Sequence, residues 1–197
     1  MSAAEWHRRY RRASDILLER MWRLPLVGAR LASAERAVVP SAPCRVLFLC
    51  KGNICRSAFA EAVARTLVDG RRHWEFRSAG LEAGEGSPSP EAAVRVAREF
   101  GVDLESHRSR AVQSGDFSAS DVVFVMEPGQ KSQALERARS VHPGIALLGA
   151  FCGNGAHRPV IGDPFGHDDA AYRLAFARIV DAVGTILTRA GEKTRGS

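Results

Sequence analysis

Short, unbroken apolar runs alternate along most of this chain with longer stretches in which apolar residues return every three or four positions. Arg45 to Leu49, with Val46-Leu47-Phe48-Leu49 continuous, reads as a buried strand, and Ala58 to about Val68 as the helix after it. Glu75 to Ser78 is a short second strand ending at Ala79-Gly80; Val122 to Met126 is a third and Ile145 to Leu148 a fourth. Ser89-Pro90-Glu91 offers an N-cap, a proline at the first helical position and an acidic first turn, for a helix that Gly101 stops. Pro128 opens another helix running to about Arg139. Asp168 is placed to cap a last helix, in which Leu174, Phe176, Ile179, Val180, Val183 and Leu187 make a broad apolar stripe. Strand and helix alternating in this order predict an α/β fold: a three-layer sandwich with a central four-stranded parallel sheet and helices on both faces.

Ahead of the first strand the pattern changes. Trp6, Tyr10, Ala13, Leu17, Met21 and Leu24 recur at helix spacing, and Pro25 would end that helix, so residues 1–24 predict an added N-terminal amphipathic helix. Residues 28–43 read as a linker, which divides the chain into an extension and linker, 1–43, and a main domain, 44–197. Charge follows this division: residues 1–43 hold eight arginines against four acidic residues, +4 of the net +6. The apolar stripe suits packing on the main domain or self-association with a second copy, and its basic faces suit peripheral attachment to an anionic membrane surface. Nucleic acid is disfavoured as a partner, because no recognition motif accompanies the charge.

With 197 residues and 45% hydrophobic composition, the chain can bury one good core plus an appendage, not two full domains. Four cysteines, at 44, 50, 55 and 152, are too few for a secreted disulfide scaffold and point to a reducing compartment. No apolar run approaches the roughly 20 residues of a membrane span. Arg20 and Arg23 interrupt Ile16 to Val27, so no signal peptide is read, and a cytoplasmic location is expected. Six scattered histidines, none at ligand spacing beside the cysteines, imply no metal, and no cofactor is expected.

The chemistry concentrates in Cys50-Lys51-Gly52-Asn53-Ile54-Cys55-Arg56-Ser57, a loop between the first strand and its helix. Five residues between Cys50 and Arg56 let the loop curl so that successive N–H groups point inward, toward the oxygens of an anion such as phosphate. The helix N-terminus adds unpaired N–H groups and dipole, which favour an anion and favour thiolate over thiol. Arg56 is a fork for two oxygens, Gly52 permits close backbone approach, Asn53 tolerates positive φ, and Ser57 is placed to donate to the sulfur. Lys51 belongs at the cleft mouth, as a contact for acidic substrate neighbours or as a solvated charge. In parallel sheets ligands bind beyond the carboxyl ends of strands, where Cys50 stands. Cys152 to Arg158 repeats the spacing, but Pro159, Val160, Ile161 and Gly162 follow it and cannot open a long helix, so Cys152 is read as an ordinary thiol.

Cys-x-Gly-Asn-x-Cys-Arg-Ser after a first strand resembles the loop of low-molecular-weight protein tyrosine phosphatases. Ser78-Ala79-Gly80 and Asp163-Pro164-Phe165 look like two further signatures of that family, in its order, and the resemblance spans roughly residues 44–190. It implies a protein tyrosine phosphatase with Cys50 as nucleophile, Arg56 as oxyanion clamp and Asp163 as general acid. It also implies that Ser78 and His107 brace Asn53, and that Cys55 forms a reversible disulfide with Cys50 under peroxide. Of the pocket walls, Phe165 is one, and Leu81 stands partly where relatives carry an aromatic. Ile54 favours tyrosine over arginine as the phosphoresidue, because arginine-phosphatase relatives tend to carry Thr there.

Met126-Glu127 and Leu147-Leu148-Gly149 look like a bacterial branch whose expected protein substrate is phosphotyrosine on a bacterial tyrosine kinase of polysaccharide export. Other readings stay open. One is a catalytically weak phosphate-binding or adaptor module, favoured if Asp163 pointed away from the loop. An arginine phosphatase is another. A thioredoxin-linked arsenate reductase is poor, since residues 79–127 contain none of the further cysteines it needs.

Overall fold

A strand apolar at consecutive positions must be covered on both faces, and β1 (Cys44–Cys50) is, with only Arg45 reaching solvent. The computed structural model describes residues 33–38, 44–68, 74–139, 143–153 and 159–191. In it β1 lies inside a four-stranded sheet of order β2-β1-β3-β4, with β2 (Trp74–Gly80), β3 (Val122–Val125) and β4 (Gly144–Leu147). Every pairing is parallel, and the register sets Cys50 beside Gly80 and Leu49 beside Val125. Edge strand β2 turns Glu75 and Arg77 outward, which an edge tolerates.

Helices cover both faces, as the alternation predicts. The helix α1 (Arg56–Leu67) packs against β1, β2 and the last helix. After α2 (Glu91–Glu99) and the short α3 (Ser114–Ser118), α4 (Pro128–Ala138) lies on β3 and β4. A 3-10 turn (Leu148–Phe151) and α2 both meet α5 (Asp169–Arg189). Stacked Phe59 and Phe176, with ring centroids 3.8 Å apart, join α1 to α5, and Phe48 lies between Phe76 and Phe124 within the sheet. Asp168 caps α5 by accepting from the Ala171 N–H.

Four local expectations change. The first helix starts at Arg56 rather than Ala58, so the loop winds directly into a helical turn. Pro90, not Ser89, is the N-cap of α2, and Ser89 Oγ is buried without a partner among the described residues. Leu174 is exposed, because the buried face of α5 runs through Tyr172, Ala175, Phe176, Ile179, Ala182, Val183, Ile186 and Leu187, one position off the expected stripe at its start. Within the stretch read as a linker, residues 33–36 are helical, and Val38 is packed against the core. The amphipathic helix expected over residues 1–24 lies outside the described residues.

Candidate active site

Strand pairing ends where the chemistry begins. Cys50 closes β1, its carbonyl accepts the Leu81 N–H at 2.9 Å, and the Lys51 carbonyl accepts the Glu82 N–H at 2.8 Å. Gly80 lies directly under the loop: a Cβ there would come within 2.8 Å of Lys51 O and 3.0 Å of Asn53 N. A Cβ on Gly52 would meet only the Ile54 side chain, at 3.6 Å, so its surroundings leave open the side from which an anion would approach.

The loop is built around Asn53. It takes a left-handed φ of +52°, which asparagine tolerates, and its N–H donates to the sulfur of Cys50 at 3.3 Å. Fully buried, Asn53 donates from Nδ2 to Ser57 Oγ at 3.0 Å and Ser78 Oγ at 2.9 Å, and its Oδ1 accepts the Arg110 N–H at 3.0 Å. Its carbonyl accepts from His107 Nε2 at 2.6 Å, which places the ring proton on that nitrogen. Asn53 supplies a proton to Ser57 Oγ, and the hydroxyl's own proton has two acceptors in reach, Cys50 Sγ at 3.0 Å and the Ala79 carbonyl at 3.4 Å, the sulfur being the nearer. Ser78 passes its proton on to Glu61 Oε2 at 2.6 Å, and Glu61 pairs with Arg65. Ser78 and His107 therefore both hold Asn53 in place.

The helix behind the loop is left open to an anion. Its N-cap is Cys55, with no side-chain cap and no acidic residue in its first turn. Arg56, 1% exposed, donates from Nη1 to Glu127 and to Ile161 O (3.0 Å), and from Nη2 to Asp163 Oδ2 (2.8 Å). Burial opposes its charge, but Cys50, Glu127 and Asp163 outweigh burial and raise its pKa. Its Nε is buried with no partner among the described residues, a donor that an oxyanion in the cradle would satisfy.

Asp163 faces this loop, and its second oxygen accepts the Phe165 N–H at 3.3 Å, an Asx turn that explains the Asp-Pro-Phe sequence. Phe165 is 59% exposed. Leu81 is not an exposed wall: at 5% exposure its side chain belongs to the core. Ile54 is half-buried, while Lys51 is exposed and pairs loosely with Glu82 at 3.8 Å. Cys55 is buried, and desolvation first, then the neighbouring Cys50, pushes its pKa up to about 12. Cys152 is likewise buried, donates to Arg178 O at 3.3 Å and is raised by burial; Arg158 lies outside the described residues.

Sequence reasoning did not single out Glu127, Glu61 or Arg110 for the site. Glu127 carried a usable signal, since it directly follows Met126 at the carboxyl end of β3, where a parallel sheet places its ligands. Glu61 and Arg110 act through a serine and a backbone amide, and nothing in their sequence surroundings marks them.

A family model described as low molecular weight phosphotyrosine protein phosphatase matches residues 45–195. The chain is 29% identical over 144 residues to a probable low molecular weight protein-tyrosine-phosphatase, EpsP, of Ralstonia nicotianae, covering 73% of this chain and 94% of that protein. It is 33% identical over 153 residues to a protein-arginine-phosphatase of Geobacillus stearothermophilus, covering 77% and 96%. The crystal structure of the Erwinia amylovora tyrosine phosphatase AmsI matches with a TM-score of 0.66 at 26% identity, over 74% of this chain and 91% of that one.

Proposed function

The chain belongs to the low-molecular-weight phosphotyrosine protein phosphatase family, and from that premise we propose that it hydrolyses phosphotyrosine in proteins by two displacements at phosphorus. Cys50 thiolate attacks the phosphoryl group, the loop amides and Arg56 hold its non-bridging oxygens, and Asp163 protonates the leaving phenol. In the second step Asp163 takes a proton from the water that attacks the cysteinyl phosphate, releasing phosphate and restoring the thiolate. The single observation that carries this reading is the placement of Asp163 on the same guanidinium that serves the cradle, 2.8 Å from Arg56 Nη2. An acid turned toward the loop favours catalysis over a phosphate-binding module.

Tyrosine as the phosphoresidue rests on Ile54 and on the likeness to EpsP and AmsI, both named as tyrosine phosphatases. The likeness to a protein-arginine-phosphatase supports phosphoarginine as a second reading. A bacterial tyrosine kinase of polysaccharide export is the protein substrate we infer for the first. A catalytic thiol works only while reduced, which suits a cytoplasmic site of action.

The test is hydrolysis of p-nitrophenyl phosphate, a phosphotyrosine peptide and a phosphoarginine peptide by wild type, Cys50→Ser and Asp163→Asn. Cys50→Ser abolishes turnover. Asp163→Asn slows the phosphotyrosine peptide about 100-fold and p-nitrophenyl phosphate far less, since nitrophenol needs less help to leave. Faster turnover of phosphoarginine than of phosphotyrosine by wild type overturns the tyrosine assignment. Retained activity in Cys50→Ser overturns the mechanism.

A further inference from the structure

Glu35 is a buried carboxylate, 8% exposed, that phosphoryl transfer does not use, and it lies ahead of the matched family domain. Both its oxygens are engaged. Oε2 accepts the Leu147 N–H at 2.7 Å, an outward-facing donor of edge strand β4, and Oε1 pairs with Lys131 of α4. Beside it, Arg36 Nε donates to Ala150 O of the 3-10 turn at 2.7 Å. Val38 lies against Gly144 so closely that a Cβ there would collide with it. Residues 33–38 thus grip β4, α4 and the 3-10 turn together.

Two of those elements adjoin two of the three partners of Arg56, Glu127 and the Ile161 carbonyl. On α4, the Gln130 and Lys131 N–H groups donate to Glu127 O at 3.1 and 3.2 Å. Gln130 Nε2 donates to Glu127 Oε1 at 3.0 Å and its Oε1 accepts the Met126 N–H, so Glu127 and the first turn of α4, with Lys131 on it, form one unit. In the 3-10 turn, Gly149 is pressed against the Pro159 carbonyl, leaving no room for a Cβ. Pro159 leads to Ile161, whose N–H donates to Met126 O at 2.9 Å and whose carbonyl accepts from Arg56.

We propose that residues 33–38 are a positioning element of the active site. Glu35, through Lys131 and Leu147, and Arg36, through Ala150, fix the first turn of α4 and the 3-10 turn, and these set Glu127 and Ile161 O around Arg56. Glu35 and Lys131 are positioning residues, remote from the reacting atoms. The inference rests on the phosphatase reading for its kinetic half and on the cradle alone for its binding half.

The test uses the full chain with Glu35→Gln, Lys131→Met and the double variant. Glu35→Gln keeps an acceptor for the Leu147 N–H but loses the charge that Lys131 meets; Lys131→Met removes the other half from the partly exposed side of a helix, and serves if Glu35→Gln fails to fold. Thermal melts give the melting temperature of each variant, and turnover of p-nitrophenyl phosphate and the vanadate dissociation constant by calorimetry are measured well below it. Each single variant is expected to lose about fivefold in kcat/KM and in vanadate affinity, and the double variant no more than either, because the two act on one path. Folded variants with wild-type kinetics and vanadate affinity, altered only in melting temperature, overturn the inference. A wild type that binds vanadate without hydrolysis overturns the phosphatase reading alone, and the vanadate constants then decide on the positioning element. A wild type that does neither overturns both.

Discussion

Arg56 and Glu127 form an ion pair between unequal partners, a guanidinium side chain 1% exposed and a carboxylate side chain 32% exposed. The arginine has given up its water, so the cost of separating the pair falls mainly on it. Glu127→Gln is expected to cost about 2 kcal/mol of stability, below the range for fully buried pairs because the carboxylate keeps some water. Without Glu127, Asp163 is the only carboxylate left on the fork among the described residues, and kcat/KM should fall about tenfold. Denaturant melts and p-nitrophenyl phosphate kinetics check both, and a variant matching wild type in the two assays would show that the pair contributes nothing.

Gly80→Ala places a methyl group against Lys51 O and Asn53 N, backbone atoms that cannot yield without moving the loop. The expected outcome is a folded protein, less stable by about 1–3 kcal/mol, whose vanadate binding falls at least tenfold. Normal vanadate binding in this variant would mean that the loop tolerates displacement.

The cysteines are expected to separate by reactivity. Burial, the largest cause in each case, pushes Cys44 up to about 11 and Cys55 to about 12, and raises Cys152. At pH 8 these three remain thiols, and Cys50 is the one of the four that stands in the anion cradle, where it receives the Asn53 N–H and faces Ser57. Iodoacetamide should therefore add one group, at Cys50, before any other, read by intact mass and peptide mapping. The same shifts predict alkaline sensitivity: the folded values are raised, so their stabilising contribution is whole below the unfolded value of about 8.5 and is lost as pH rises toward 11–12.

Asp116 fixes the segment that reaches Asn53. It accepts the Gln113 N–H at 2.8 Å and Arg110 Nη1 at 2.9 Å, while the Arg110 N–H holds Asn53 Oδ1. Burial works to raise its pKa, but those two bonds and the Arg110 charge win and hold it below the ordinary aspartate value. A depressed folded value means stability present above the unfolded value, about 3.9, and lost as pH falls through the folded one. Asp116→Asn should be less stable than wild type by about 1 kcal/mol at pH 7, with the gap closing below about pH 4. Thermal melts from about pH 2 to pH 7 read this directly; a gap that does not narrow at all as pH falls below about 4 would assign the loss to packing.

Much of the fold was legible because its signals are local. The run Val46 to Leu49 can only be a strand covered on both faces, and Asp168 announces its helix with a side chain that caps it. The cradle was legible for the same reason: Cys50, Asn53, Arg56 and Ser57 lie within eight residues, and Ser78 and Asp163 each sit in a short signature. Harder to read was whatever depends on two distant segments meeting. Glu127 reaches Arg56 across 71 positions of sequence and Glu35 reaches Leu147 across 112, and in each case the residue alone reads as a surface charge. Leu81 failed differently, since an apolar residue beside a binding loop serves a wall or a core equally well, and only burial tells which.

Residues 33–38 run against the direction of β4. Glu35 and Arg36 meet its carboxyl end at Leu147 and Ala150, and Val38 its start at Gly144. Ser33 consequently stands at the pole of the molecule where Cys50 lies, while α5 leaves that pole at Asp169 and travels 21 residues, about 30 Å, before Arg189. Ser33 and Arg189 thus stand at opposite poles. Bulk carried on Ser33 itself would crowd the approach of a protein substrate and leave a small aryl phosphate unhindered, whereas a reporter carried on Arg189 would stay clear of the catalytic mouth.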